Sequence, residues 1–149
     1  MYTTQLLGTV RTKEDFFAEV AHLNECCKGL WAVCGDFNNT RSQDERRGKM
    51  WSHRAMNLFN DLINELALIE LPMANQSYTW SNMQRNPILA KLDRFLISTE
   101  WEQEFPLSKV KALPRVISDH CPILLSVERT ARRKRSFTLR TLGLTIRTS

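Results

Sequence analysis

Phe16, Val20 and Leu23 recur at helical spacing, with Phe17 and Ala21 beside them, so residues 13 to 25 predict an amphipathic helix. Thr12 is placed as its N-cap, with Asp15 three residues on. The helix should stop near Cys27-Lys28-Gly29. "LWAVC" is then a continuous apolar run, suited to a strand covered on both faces, and it ends at Gly35-Asp36. Residues 39 to 51 are polar and read as a long loop. Ser52 can cap a second helix whose apolar stripe is Ala55, Phe59, Leu62, Ile63 and Leu66. "LIELP" predicts a short strand closed by Pro72, and "NQSYTW" a turn entering another. "LAKLDRFLIS" alternates: Leu92, Arg94 and Leu96 face one way, Asp93, Phe95 and Ile97 the other. "TEWEQEF" predicts a short helix capped by Thr99, and "KVKALP" and "PILLSVE" are the last two strands, the final one expected to be buried. Helices and strands alternate early and strands dominate late, which implies an α+β or α/β layered sandwich.

Composition narrows the picture. At 149 residues and 42% apolar content, the chain can bury the core of one domain. No apolar run approaches the roughly 18 residues of a membrane span, and "MYTTQLLGTVRTKEDFF" lacks the pattern of a secretory signal. Cys26, Cys27, Cys34 and Cys121 form no C-x-x-C pair, so no disulfide partner is expected and the setting is read as reducing and intracellular. A zinc site from His22, Cys26 or Cys27, and Cys34 fits no standard finger spacing. The net charge of +5 is unevenly spread. Arg129, Arg132, Arg133, Lys134, Arg135, Arg140 and Arg147 crowd the last 21 residues, which hold no acid; the other 14 basic residues face 16 acidic ones. The expected organisation is a domain over residues 1–128 and a basic, disordered tail over 129–149. Such a tail is a solvated block, a nucleic-acid contact or a nuclear address.

Three short constellations carry candidate chemistry. Asp36 and Asn38 close an apolar strand, where an Asp can take a proton from water and an Asn can orient that water. Gly-Asp-x-Asn is also a sound turn, because Asp and Asn bond their own backbone. Asp93 alternates onto the presumed inner face, where a charge must be paired: with a nearby Arg or Lys, or with a histidine that it orients. Ser118-Asp119-His120 precedes the last strand and places a histidine beside an acid at a strand mouth. His22 and His53 fall on helices and read as bland. Together the three groups meet the needs of metal-assisted phosphodiester hydrolysis: a base for water, a group to stabilise phosphorane charge, and carboxylates for Mg²⁺.

"GDFN", "LDRFLIS" and "SDHCPI", in this order, resemble the endonuclease/exonuclease/phosphatase superfamily. "LIELPMANQSYTWSN" and "WEQEFPLSKVKALPRVISDHCPILL" are similar to the endonuclease domain of plant LINE-type (non-LTR) retrotransposons, over roughly residues 12 to 128. The resemblance implies part of a four-layer αββα, DNase I-like sandwich with its site at one edge. By it, Asp36 matches the proton acceptor, Asn38 its partner, Asp93 the acid bonded to the catalytic histidine, His120 that histidine, and Asp119 an acid implicated in metal binding. Tyr78 and Trp80 match an aromatic-Thr-Trp strand, with core packing weighed ahead of base stacking for both. The implied cofactor is Mg²⁺ or Mn²⁺, the implied partner DNA, and the implied location nuclear, in an element that also carries a reverse transcriptase. No residue before Thr12 matches the family's main metal-ligating Glu, and Glu14 and Glu19 read as helix-surface residues. The chain is therefore expected to be the C-terminal half of such a domain, weakly active or inactive, with exposed sheet edges and an uncovered apolar face. The alternative is a non-catalytic nucleic-acid binder that uses the basic tail, Arg132, Arg133, Lys134 and Arg135 included. The superfamily's lipid and inositol-phosphate substrates are less favoured by the residues around Trp80 and Trp101.

Overall fold

The computed structural model describes residues 12–49, 52–128 and 138–142. Helix α1 spans Lys13–Cys26, capped by Thr12, whose side chain accepts the Asp15 N–H. Strand β1 is Trp31–Asp36. The polar loop that follows is not featureless: it holds a 3₁₀ turn, Gln43–Glu45, and strand β2, Arg46–Arg47. Helix α2, His53–Glu65, is capped by Ser52 as expected and buries Met56, Phe59, Leu62 and Ile63. Strands β3 (Ile69–Glu70), β4 (Trp80–Ser81), β5 (Leu89–Ala90) and β6 (Asp93–Ile97) come next. Helix α3, Thr99–Glu104, is capped by Ser98 rather than Thr99; the Ser98 hydroxyl accepts the Trp101 N–H. Strands β7 (Lys109–Ala112), β8 (Ile123–Ser126) and β9 (Thr138–Leu142) complete the order.

The chain is thus a mixed α+β fold. Its main sheet has the order β3-β6-β1-β9, with β1 antiparallel to β6 and parallel to β9. Two small antiparallel sheets, β2-β5-β4 and β7-β8, flank it. Alternation along β1 and β6 divides the core. Trp31, Val33 and Leu96 pack with Val20, Phe37, Phe59 and Ile63 beneath α1 and α2. Ala32, Cys34, Phe95 and Ile97 pack with Trp101, Phe105 and Val110, and Ile123 and Leu125 lean onto them. Helices cover one face of the sheet; α3 and the β7-β8 ribbon cover the other. Burial on both faces is why "LWAVC" reads as an unbroken apolar run.

Two expectations are corrected. Residues 138–142 of the basic tail, expected to be disordered, form β9. That strand pairs the second side of β1, so the strand carrying the GDFN motif lies inside the sheet; unpaired strand N–H and C=O groups are a template for such pairing. The last strand of the domain, β8, is only half covered: Leu124 is 43% exposed while Ile123 and Leu125 face the core. A two-stranded ribbon with one face on a core leaves the other to water. No described helix is long and apolar enough to cross a membrane, and the four cysteines are free thiols.

Candidate active site

Asp36 is the last residue of β1, and the backbone around it explains the motif. Gly35 takes φ +140° and Asn38 φ +50°, conformations that glycine and asparagine adopt at least cost. The Asn38 N–H donates to Asp36 Oδ1 at 2.7 Å. "GDFN" is therefore a turn by geometry and a strand mouth by position, and it leaves the Asn38 side chain exposed.

Register places Asp36 directly opposite Asp93 across the β1–β6 ladder. Like charges so placed repel. His120 resolves the conflict by standing between them, its Nδ1 2.7 Å from Asp93 Oδ2 and its Nε2 3.7 Å from Asp36 Oδ2. The first contact is a hydrogen bond; the second leaves a gap. Asp93 is 5% exposed and fixed from behind by Thr79, whose Oγ1 accepts the N–H groups of Leu92 and Asp93, each at 3.0 Å. An Arg or Lys partner, the structural alternative for Asp93, is not what the fold supplies: Arg94 turns to the opposite face.

The 113–122 loop is held as firmly. The Cys121 N–H donates to Thr79 O at 2.7 Å and the Ser81 N–H to Asp119 O at 3.1 Å, and Trp80 bridges to His120. The His120 N–H donates to Ser118 Oγ. Trp80 Nε1–H donates to Asp119 Oδ2 at 2.9 Å. The Trp80 ring is half-buried in this strand pairing, as is Tyr78.

Each carboxylate is tuned by its place. Burial pushes the Asp36 carboxyl up; the Asn38 N–H pulls it down; the Asp93 charge pushes it up again, and His120 offsets part of that. Asp119 is fully exposed, and the Trp80 N–H, aided by His120, holds it below the usual carboxylate range. Asp36, Asp93 and His120 thus meet at the mouth of β1 and β6, with Asn38 and Asp119 beside them. Arg132, Arg133, Lys134 and Arg135 lie outside the described residues. Cys34 is buried in the core, where burial raises its thiol to about 12, so it cannot join His22 and Cys26 in a zinc site. His22 instead contacts Cys26 Sγ at 3.5 Å along α1.

Among the described residues no three His, Cys, Asp or Glu side chains are grouped to hold a metal. Asp36 and Asp119 do offer carboxylate oxygens of the type Mg²⁺ prefers, and Mg²⁺ is usually held by one or two carboxylates with water and substrate phosphates. The donor chemistry therefore fits the ion.

Two features went unread in the sequence. Thr79 is one: the aromatic-Thr-Trp pattern contains it, but nothing local marks the role it plays behind Asp93. The other is a buried ion network behind the site. The Arg94 guanidinium, fully buried, donates to Glu45 Oε2 at 2.9 Å, Glu70 Oε2 at 3.0 Å, Asn39 O at 3.1 Å and Lys91 O at 2.6 Å. It lies over the Phe59 ring, 5.5 Å from its centre. Arg41 and Lys91 also pair with Glu70. Alternation did put Arg94 on the Leu96 face, and that signal could have found it. No protein-family model matches the chain, and no curated protein matches it.

Proposed function

We propose that this chain carries the acid–base edge of a metal-dependent phosphodiesterase acting on DNA, of the endonuclease/exonuclease/phosphatase kind. The finer fold assignment goes with this reading: the layers described above are part of a DNase I-like four-layer sandwich. The observation that carries it is the Asp93–His120–Asp36 line at the mouth of β1 and β6.

Asp93, buried, accepts from His120 Nδ1–H and so fixes the ring with Nε2 facing the mouth. In the imidazolium form, Nε2–H can then donate to a phosphate oxygen and stabilise its charge. Asp36, whose affinity for a proton is raised by burial, takes the proton of an attacking water. Asn38, exposed in the turn beside it, orients that water. Mg²⁺, held through Asp119 or Asp36, would neutralise charge on the phosphate oxygens.

The test is nicking of supercoiled plasmid with and without Mg²⁺. The expected result is slow, Mg²⁺-dependent nicking that falls by about 10²–10⁴-fold in His120→Ala or Asp36→Asn. Nicking that survives His120→Ala would belong to a contaminant and would overturn the reading.

A further inference from the structure

The described residues also form a polar concavity, built from the segment that follows the GDFN turn in the chain. It is a cleft of about 170 Å³ between the 3₁₀ turn, β2 and the start of α2. Thr40, Ser42, Gln43, Arg46, Lys49 and His53 line it, and no acidic residue does. That bias stands out in a chain whose basic surplus otherwise lies in its last 21 residues. Gln43 Nε2 lies 3.3 Å from His53 Nε2, and Arg46 Nε–H donates to Lys49 O. Gly48 closes the wall at φ +108°; a Cβ there would meet Ile88 at 3.1 Å, so the loop lies close against the β4–β5 hairpin. His53 opens α2, a 13-residue helix whose N-terminal dipole adds to the positive field.

Register ties this cleft to His120. Arg46 is paired with Ala90, Ala90 with Trp80, and Trp80 with His120. Directly paired residues share a face of the sheet, and strands lie about 4.8 Å apart. Three such steps put the Arg46 backbone about 14 Å from that of His120. Phosphates follow one another along a nucleic-acid strand at regular spacing, so this separation lies within a few nucleotides of one strand. From the other direction, Thr40 is two residues from Asn38, which limits their Cα separation to about 7.6 Å.

We propose that this cleft is a phosphate-binding subsite that grips the nucleic-acid backbone a few nucleotides from the phosphate presented to His120. The inference rests on the nuclease reading for its ligand, but its chemistry is binding rather than cleavage. Cationic and hydroxyl donors without an opposing carboxylate suit a singly charged phosphodiester oxygen pair.

The decisive experiment is fluorescence anisotropy of a labelled 16-base-pair duplex at several salt concentrations, on the full chain and on Arg46→Gln, Lys49→Gln and the double variant. Each phosphate contact contributes about 0.9 to the slope of log affinity against log salt, so the double variant should show a slope shallower by about that amount. The basic tail is common to all four proteins and cancels. Lys49→Gln alters an exposed side chain, so it reports even where Arg46→Gln disturbs the loop. Inorganic phosphate is the second probe: it should shift the His53 ring resonances in the parent chain and not in the double variant. An unchanged slope, or a parent chain that does not bind the duplex at about 50 mM salt, overturns the subsite whether or not plasmid is nicked. A shallower slope in a chain that nicks nothing keeps the subsite and removes the catalytic reading.

Discussion

Asp93 and Arg94 are neighbours on β6 and face opposite ways, and each joins a cluster of two carboxylates around one nitrogen base. Behind the sheet, Glu45 and Glu70 surround the Arg94 guanidinium, with four hydrogen-bonded partners between 2.6 and 3.1 Å. At the mouth, Asp36 and Asp93 flank His120, with one contact closed at 2.7 Å and one open at 3.7 Å. The ingredients are alike and the outcomes opposite. Arginine is a permanent cation, so its cluster is static: both terminal nitrogens are bonded, and the charge cannot be given up. Histidine can give and recover a proton, and the open side leaves room for another group. The carboxylates record the difference: Glu70 is pulled down to about 2, with Arg94 the largest opposing force to its burial, whereas burial leaves Asp36 raised.

Removing the static cation should break this contrast most severely. Arg94→Ala takes the guanidinium from Glu45, leaves Glu70 to Arg41 and Lys91 alone, and frees the carbonyls of Asn39 and Lys91. Breaking a buried pair in this way costs about 3–5 kcal/mol. Thermal unfolding should show a large drop in Tm or loss of the cooperative transition. Arg94→Lys should not restore it, because one ammonium cannot replace the guanidinium fork. A small drop would mean that the network contributes little.

Next in size is the pH dependence that Glu70 confers. Its folded value, about 2, lies below its ordinary 4.5. A depressed carboxyl stabilises the fold above the unfolded value and loses that contribution as pH falls through the folded one. The shift corresponds to roughly 3 kcal/mol at neutral pH, lost between about pH 4.5 and 2. Urea unfolding at pH 7 and pH 3 should therefore show a steeper acid loss in the parent chain than in Glu70→Gln.

This contrast also marks what the sequence carried. The apolar periods of α1, α2 and β1 were legible because burial imposes them on consecutive residues. Asp36, Asp93 and His120 were legible as chemistry, and the alternation of "LDRFLIS" placed Asp93 and Arg94 on opposite faces. Thr79 was not, because its task is to accept two N–H groups from a strand 13 and 14 residues away. Nor was β9, whose partner lies more than a hundred residues earlier in the chain. The Ser98 cap was missed because Ser-Thr offers two adjacent hydroxyls, and only backbone geometry chooses between them.

Asp36→Asn should move stability the other way by a smaller amount. A raised folded value means that the fold prefers the protonated carboxyl, so its stabilising contribution fades as pH rises through that value. At pH 7 the neutral amide relieves the repulsion with Asp93, and Asp36→Asn should melt slightly higher than the parent while nicking falls. A lower Tm would show that the Asp36–Asn38 turn outweighs the repulsion.

The smallest effect separates the mouth's two exposed elements. Trp80→Phe keeps the ring but removes the N–H that Asp119 accepts. That bond is the largest cause of the low Asp119 value, ahead of His120. The Asp119 midpoint, followed by carboxyl NMR, should therefore rise toward the ordinary 3.8, with the melting temperature little changed because the group is exposed. Any effect on Mg²⁺ binding should appear only in acid, as the pH approaches that midpoint. An unmoved midpoint would leave His120 as the cause, and would tie Asp119 to the acid–base line rather than to the β4 strand.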